Sequence, residues 1–150
     1  MEAVADILLV EDNPRDVTLT LSALKAGNVA NDVMVLRDGA EALDYLMYRG
    51  RFEGRLGPLP GVVLLDLKMP KVDGLEVLRQ MRNHPALKFV PVVMLTSSRE
   101  ERDIVASYRL GVNAYVVKPV DFDQFADAIR QLGLFWAVLN VPPSLAVQGE

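Results

Sequence analysis

Five polar side chains stand directly after short apolar runs, and their types are chemically complementary. Glu11 and Asp12 follow Ile7–Val10, Asp66 follows Val62–Leu65, Thr96 follows Val92–Leu95 and Lys118 follows Ala114–Val117. Three carboxylates gathered at one point repel one another until a hard divalent cation joins them, and an all-oxygen site that keeps water suits Mg²⁺. A carboxylate is also a competent nucleophile toward a phosphoryl group, giving an aspartyl phosphate. In that chemistry the cation and Lys118 neutralise charge on the phosphoryl oxygens, and the Thr96 hydroxyl donates to another. One polar residue after a strand carries little weight, because strand ends are ordinary places for loops to begin. Complementary groups at the ends of all four runs point to a site.

The elements that would position them are legible in the apolar pattern. Ile7–Val10, Val62–Leu65, Val92–Leu95 and Ala114–Val117 are continuous and rich in β-branched residues, as strands buried on both faces require. A weaker, alternating segment spans Asp32–Leu36. Between these runs lie helical stripes. Val17, Leu21 and Leu24 follow the cap and first-turn proline Asn13-Pro14 and stop at Gly27. Leu43, Leu46 and Met47 end at Gly50, and Val77, Leu78 and Met81 stop before His84-Pro85. Ile104, Val105 and Tyr108 lie between a Ser98…Glu101 capping box and Gly111. The last helix opens at Asp121 with Gln124 in the matching box position. This order, (βα) five times, predicts an α/β fold with an open, doubly wound parallel sheet and helices on both faces. In such a sheet the carboxyl ends of the strands line one crevice, which brings the five polar residues together.

Composition narrows the rest. The chain has 150 residues, 51% of them hydrophobic, and a formal charge of −4. That length suits one domain, predicted over residues 1–140 with a tail at 141–150 and a Gly/Pro-rich surface loop at 49–61. The acidic balance argues against a nucleic-acid partner. No apolar run reaches the roughly 20 residues of a membrane span. Without cysteine, thiolate metal sites and Cys nucleophiles are excluded. The first residues lack the basic region of a signal peptide, which makes the cytoplasm the expected location.

Four segments together resemble the signatures of a two-component response-regulator receiver domain. They are Leu8-Leu9-Val10-Glu11-Asp12-Asn13, Leu64 through Gly74 (LLDLKMPKVDG), Leu95-Thr96-Ser97-Ser98 and Val117-Lys118-Pro119. The resemblance covers about residues 5–135 and implies a flavodoxin-like sandwich with strand order 2-1-3-4-5; the same fold serves as the standard example of that order. It implies that Asp66 is the phosphoacceptor and that Glu11, Asp12, Asp66 and the backbone carbonyl of Lys68 hold Mg²⁺. Thr96 and Tyr115 match the switch pair, Lys118 the phosphate-binding lysine, and Lys118-Pro119 a cis peptide bond. Lys68 and Ser98 flank the reacting phosphate and would tune its lifetime. The family is not one of enzymes beyond its own phosphorylation and dephosphorylation, and its phosphodonor is a sensor histidine kinase. Taken alone, Tyr115 reads equally well as a half-buried core ring.

The last helix carries Phe122, Phe125, Ile129, Leu132, Trp136 and Leu139 at heptad-like spacing. Core packing accounts for the first half. From Leu132 the sequence LGLFWAVLNV is apolar on all sides, more than a domain of this size hides. The expected use of Phe125, Ile129, Leu132, Phe135, Trp136 and Leu139 is therefore a partner face, most simply in a homodimer; a basic flank for membrane attachment is lacking. This ending, the 49–61 loop and the opening Val10–Asp16 resemble stand-alone response regulators that partner bacterial phytochromes. That group implies dimers formed through the fourth helix, fifth strand and fifth helix.

Other readings fit less well. An Asp-nucleophile phosphatase of the haloacid-dehalogenase type needs a second acid two residues after the nucleophile, where Lys68 stands. An FMN site after the first strand would meet Glu11-Asp12, and no G-x-G-x-x-G opens the first helix. His84 reads as a helix-end residue in solvent. A constitutive pseudo-receiver that only binds partners remains the alternative from a different class; the complete acidic, Thr and Lys set speaks against it.

Overall fold

The structure is a computed structural model that describes residues 6–29, 31–97, 112 and 114–133. Five parallel strands form one sheet in the order β2-β1-β3-β4-β5. They are β1 (Ile7–Val10), β2 (Val33–Leu36), β3 (Val62–Asp66), β4 (Val92–Thr96) and β5 (Ala114–Val117). Four α-helices lie among the described residues: α1 (Pro14–Ala26), α2 (Gly39–Leu46), α3 (Gly74–Arg82) and a C-terminal helix, α4 (Phe122–Gln131). The helix expected around Ile104–Tyr108, its capping box and its Gly111 stop fall outside the described residues.

Strand pleating sorts the apolar runs into two cores. Leu8, Val10, Val63, Leu65, Val92 and Met94 point to one face and pack with Ala42, Leu43, Leu46, Val77, Leu78 and Met81 of α2 and α3. Ile7, Leu9, Val62, Leu64, Val93, Leu95, Ala114 and Val116 point to the other, against Val17 and Leu24 of α1 and Phe125, Ala128 and Ile129 of α4. Period-two alternation inside runs that are apolar throughout is what burial on both faces demands. The edge strand β2 is half covered, which explains its alternating sequence.

The caps read from the sequence operate. Asn13 accepts hydrogen bonds from the Arg15 and Asp16 backbone amides, and Asp121 from that of Gln124. Several boundaries differ. β3 and β4 each run one residue further than the apolar run, because the ladder continues through Asp66 and Thr96. α2 ends at Leu46, not at Gly50, which instead begins a 3₁₀ turn, Gly50–Phe52, inside the expected loop. There Arg55 is held between the Tyr45 and Tyr48 rings, at 3.8 and 4.1 Å from their centroids, and donates to the Tyr45 carbonyl. His84 is half-buried rather than in solvent, and its Nδ1 accepts from the Ala86 amide at 3.1 Å.

The C-terminal helix was expected to continue to residue 140; the α-helix described here stops at Gln131. Leu132 caps it and Gly133 takes φ +71, a left-handed conformation that closes helices. Phe125 and Ile129, expected on a partner face, are instead fully buried in their own chain's core, so neither presents such a face. Heptad spacing marks a stripe without saying which way it points. Leu132 is half-buried against the same core, and Phe135, Trp136, Leu139 and the tail lie outside the described residues.

Candidate functional site

Sheet geometry delivers the predicted residues to one end. Glu11 follows β1 directly, and its amide continues the ladder by donating to the Leu36 carbonyl at 3.0 Å. Asp66 is the last residue of β3, in register with Leu95, and Thr96 is the last of β4, in register with Val117. Lys118 follows β5, and its amide donates to the Thr96 carbonyl at 2.7 Å. The Lys118-Pro119 bond is cis, as expected.

Glu11, Asp12 and Asp66 each offer a carboxylate oxygen, and these lie within 4.8 Å of one another. Glu11 and Asp66 are buried, and Asp12 is half-exposed. From the other side comes Lys118, whose Nζ lies 3.1 Å from Asp66 Oδ1, 3.3 Å from Glu11 Oε1 and 3.0 Å from Asp16 Oδ2. The fourth element is Thr96. Its hydroxyl is wholly buried and has no hydrogen-bond partner among the described residues, an arrangement that costs stability and survives where a ligand supplies the partner.

Charge crowding is written into the protonation states. Burial, reinforced by the hydrogen bond and charge of Asp66, pushes Glu11 up to about 8. Burial likewise raises Asp66 above the usual carboxylate range, against the opposing pull of the Glu11 hydrogen bond and of Lys118. Burial alone would lower Lys118, but the hydrogen bond it donates to Asp16 and the charge of Asp66 hold its ammonium above the ordinary lysine value. Near neutral pH the Glu11–Asp66 pair therefore keeps a proton, the cheapest positive charge at hand. A divalent cation fits the donor set better: three hard carboxylate ligands converge on it, and it would replace that proton.

The remaining predicted residues sit as follows. Lys68 is exposed two residues beyond Asp66. Tyr115 is half-buried on the strand next to Thr96, and its hydroxyl donates to the Val112 carbonyl at 3.1 Å. The two switch candidates are therefore not hydrogen-bonded to each other. Ser98 lies outside the described residues. Asp16 was not singled out from the sequence, where it reads as an ordinary first-turn acid of α1.

Residues 7–130 match the model of the family described as the response regulator receiver domain. The chain belongs to this family. Among proteins similar to this receiver, response regulator Rcp1 of Synechocystis is 40% identical over 130 residues, 87% of each chain. A crystal structure of Rcp1 in its Mn(2+)-bound form superposes with a TM-score of 0.69 at 39% identity, over 89% of this chain and 94% of that one. The bacteriophytochrome response regulator AtBRR is nearer in fold and sequence, with a TM-score of 0.88 and 62% identity, covering 93% of this chain and 99% of that one. The phosphorylated cyanobacterial phytochrome response regulator RcpA gives a TM-score of 0.72 at 38% identity, over 93% and 97% of the two chains. This receiver is thus related to phytochrome response regulators. Its acidic cluster fits the phosphorylation site of such a domain. No helix among its described residues is long and apolar enough to cross a membrane.

Proposed function

We propose that the protein accepts a phosphoryl group on Asp66 from the phosphohistidine of a sensor histidine kinase, a phytochrome, in the cytoplasm. The observation that carries this reading is the convergence on Asp66 of Glu11, Asp12 and the Lys118 ammonium. An Asp66 carboxylate oxygen attacks phosphorus, the P–N bond breaks, and its electron pair stays on the imidazole nitrogen, which takes up a proton. Lys118 pairs with one phosphoryl oxygen, and the partnerless Thr96 hydroxyl donates to another. Glu11, Asp12, Asp66 and the Lys68 carbonyl would hold Mg²⁺, which would supply neutralisation of the phosphoryl charge. Water attack on phosphorus later releases inorganic phosphate and restores the carboxylate. The chain catalyses no other reaction.

Movement of Thr96 toward the phosphoryl group, with inward rotation of Tyr115, biases the face on which partners bind. The apolar residues 132–141 support pairing with a second copy. Light scattering at tens of micromolar should give a dimer, and a monomer with and without phosphorylation would refute that part. The central test is incubation with Mg²⁺ and acetyl phosphate followed by intact mass. Wild type should gain a phosphate-sized adduct that Asp66→Ala lacks. No adduct in wild type, or an unchanged one in the variant, overturns the reading.

A further inference from the structure

Lys118 spends its three N–H donors on three carboxylates, and they are not equivalent. Glu11 and Asp66 belong to the cluster able to hold a cation, whereas Asp16 does not. Asp16 sits in the first turn of α1, partly exposed, and holds the ammonium at 3.0 Å, beside Asp66 at 3.1 Å and Glu11 at 3.3 Å. An acid three residues after a helix cap ordinarily reaches back to the cap's own amide. Here the Asn13 amide donates to Glu11 Oε2 at 3.2 Å instead, so the Asp16 carboxylate is committed to Lys118.

We propose that Asp16 is a positioning residue that keeps hold of Lys118 when a divalent cation displaces the ammonium from the carboxylates of Glu11 and Asp66. The inference rests on the phosphoryl-transfer reading above and concerns how that site is kept ready. Without Asp16, the ammonium has only Glu11 and Asp66 to pair with, and a cation must displace it with no third carboxylate to receive it. When Asp66 carries a phosphoryl group, Lys118 gives up the Asp16 contact in favour of a phosphoryl oxygen, and the first turn of α1 loses an ion pair. A general favourable effect of a first-turn acid on the helix dipole predicts none of this, because it does not pass through Lys118.

The test is a double-mutant cycle read as Mg²⁺ affinity by calorimetry on the full chain: wild type, Asp16→Asn, Lys118→Met and the double variant. All four proteins keep the carboxylates that would hold the cation, so all four can be titrated. Asp16→Asn should weaken Mg²⁺ binding about three- to tenfold when Lys118 is present, and less than about twofold in the Lys118→Met background. Equal weakening in both backgrounds would assign the effect to charge acting through space. No weakening in either would remove Asp16 from the site; each result overturns the proposal. A wild type that takes up no Mg²⁺ would fail before any substitution is compared, and it would bring down the reading of the metal site as well. In a separate arm at saturating Mg²⁺, Asp16→Asn should bind beryllofluoride, a phosphoryl mimic, more tightly than wild type. Weaker binding would contradict the handover of Lys118.

Discussion

Loading the site with Mg²⁺ should expel close to one proton at neutral pH. Glu11 is fully buried beside Asp66 and holds its proton up to about 8, and a ligand carboxylate must be ionised to coordinate. The two acids share a hydrogen bond, so the proton belongs to the pair. With a value of about 8, the metal-free pair is about 90% protonated at pH 7, and binding there releases about 0.9 proton. The apparent dissociation constant should be about tenfold weaker at pH 7 than on the plateau above pH 9, tightening as pH rises. Calorimetry at pH 7 in several buffers of different ionisation enthalpy gives the proton count directly, and titrations from pH 6 to 9 give the affinity curve. Glu11→Gln should flatten both. A proton count near zero together with constant affinity across that range would refute the reasoning, because Glu11 would then be ionised before the metal arrives or would not meet it.

The same proton makes the metal-free fold pH-sensitive. Glu11 holds its proton to about 8 when folded but releases it near 4.5 when unfolded. Unfolding free energy without Mg²⁺ should therefore fall as pH climbs between those values, by at most about 1.4 kcal/mol per pH unit, seen as a falling melting temperature, and Mg²⁺ should reduce the decline. Phe125→Ala should cost about 3–5 kcal/mol in chemical denaturation, because its ring is fully buried among β1, β3, β4 and β5 residues rather than offered to a partner. Gly74→Ala should lower Mg²⁺ affinity as well as stability, since a methyl there would overlap the Asp66 carbonyl oxygen and displace the backbone that carries the nucleophile. Lys68→Ala should change the decay rate of the phosphorylated form measured after donor removal; an unchanged rate would exclude a tuning role.

The sheet and the site were legible for the same reason. Runs such as Val62–Leu65, apolar at every position, have few uses other than a strand covered on both sides, and a polar residue at the end of such a run is conspicuous. Glu11, Asp66, Thr96 and Lys118 are placed by the strands themselves, so finding the strands finds them. Asp16 is placed by a helix, one turn in, where an acid is expected on grounds of capping alone; only the position of Lys118, 102 residues away, gives it another meaning. Phe125 and Ile129 failed differently. Their spacing identifies a helix face, but the choice between own sheet and foreign partner depends on how α4 is rotated, which spacing does not encode. The end of α4 was available in principle: Gly133 interrupts the stripe, and its left-handed backbone is a conformation glycine adopts freely.

Strand β1 pairs with β2 on one edge and with β3 on the other, Ile7 standing beside both Val33 and Val62. As the chain leaves the ribosome, β1 can dock β2 early, but its second edge stays open until the residues after the 49–61 segment have been made. The central seam of the sheet is therefore a long-range closure, the kind of contact that sets folding rate. Closure entropy grows only with the logarithm of loop length, about 0.6 kcal/mol for each doubling. A surface insertion between α2 and β3 thus costs the finished molecule little, while lengthening the time during which β1 has one neighbour.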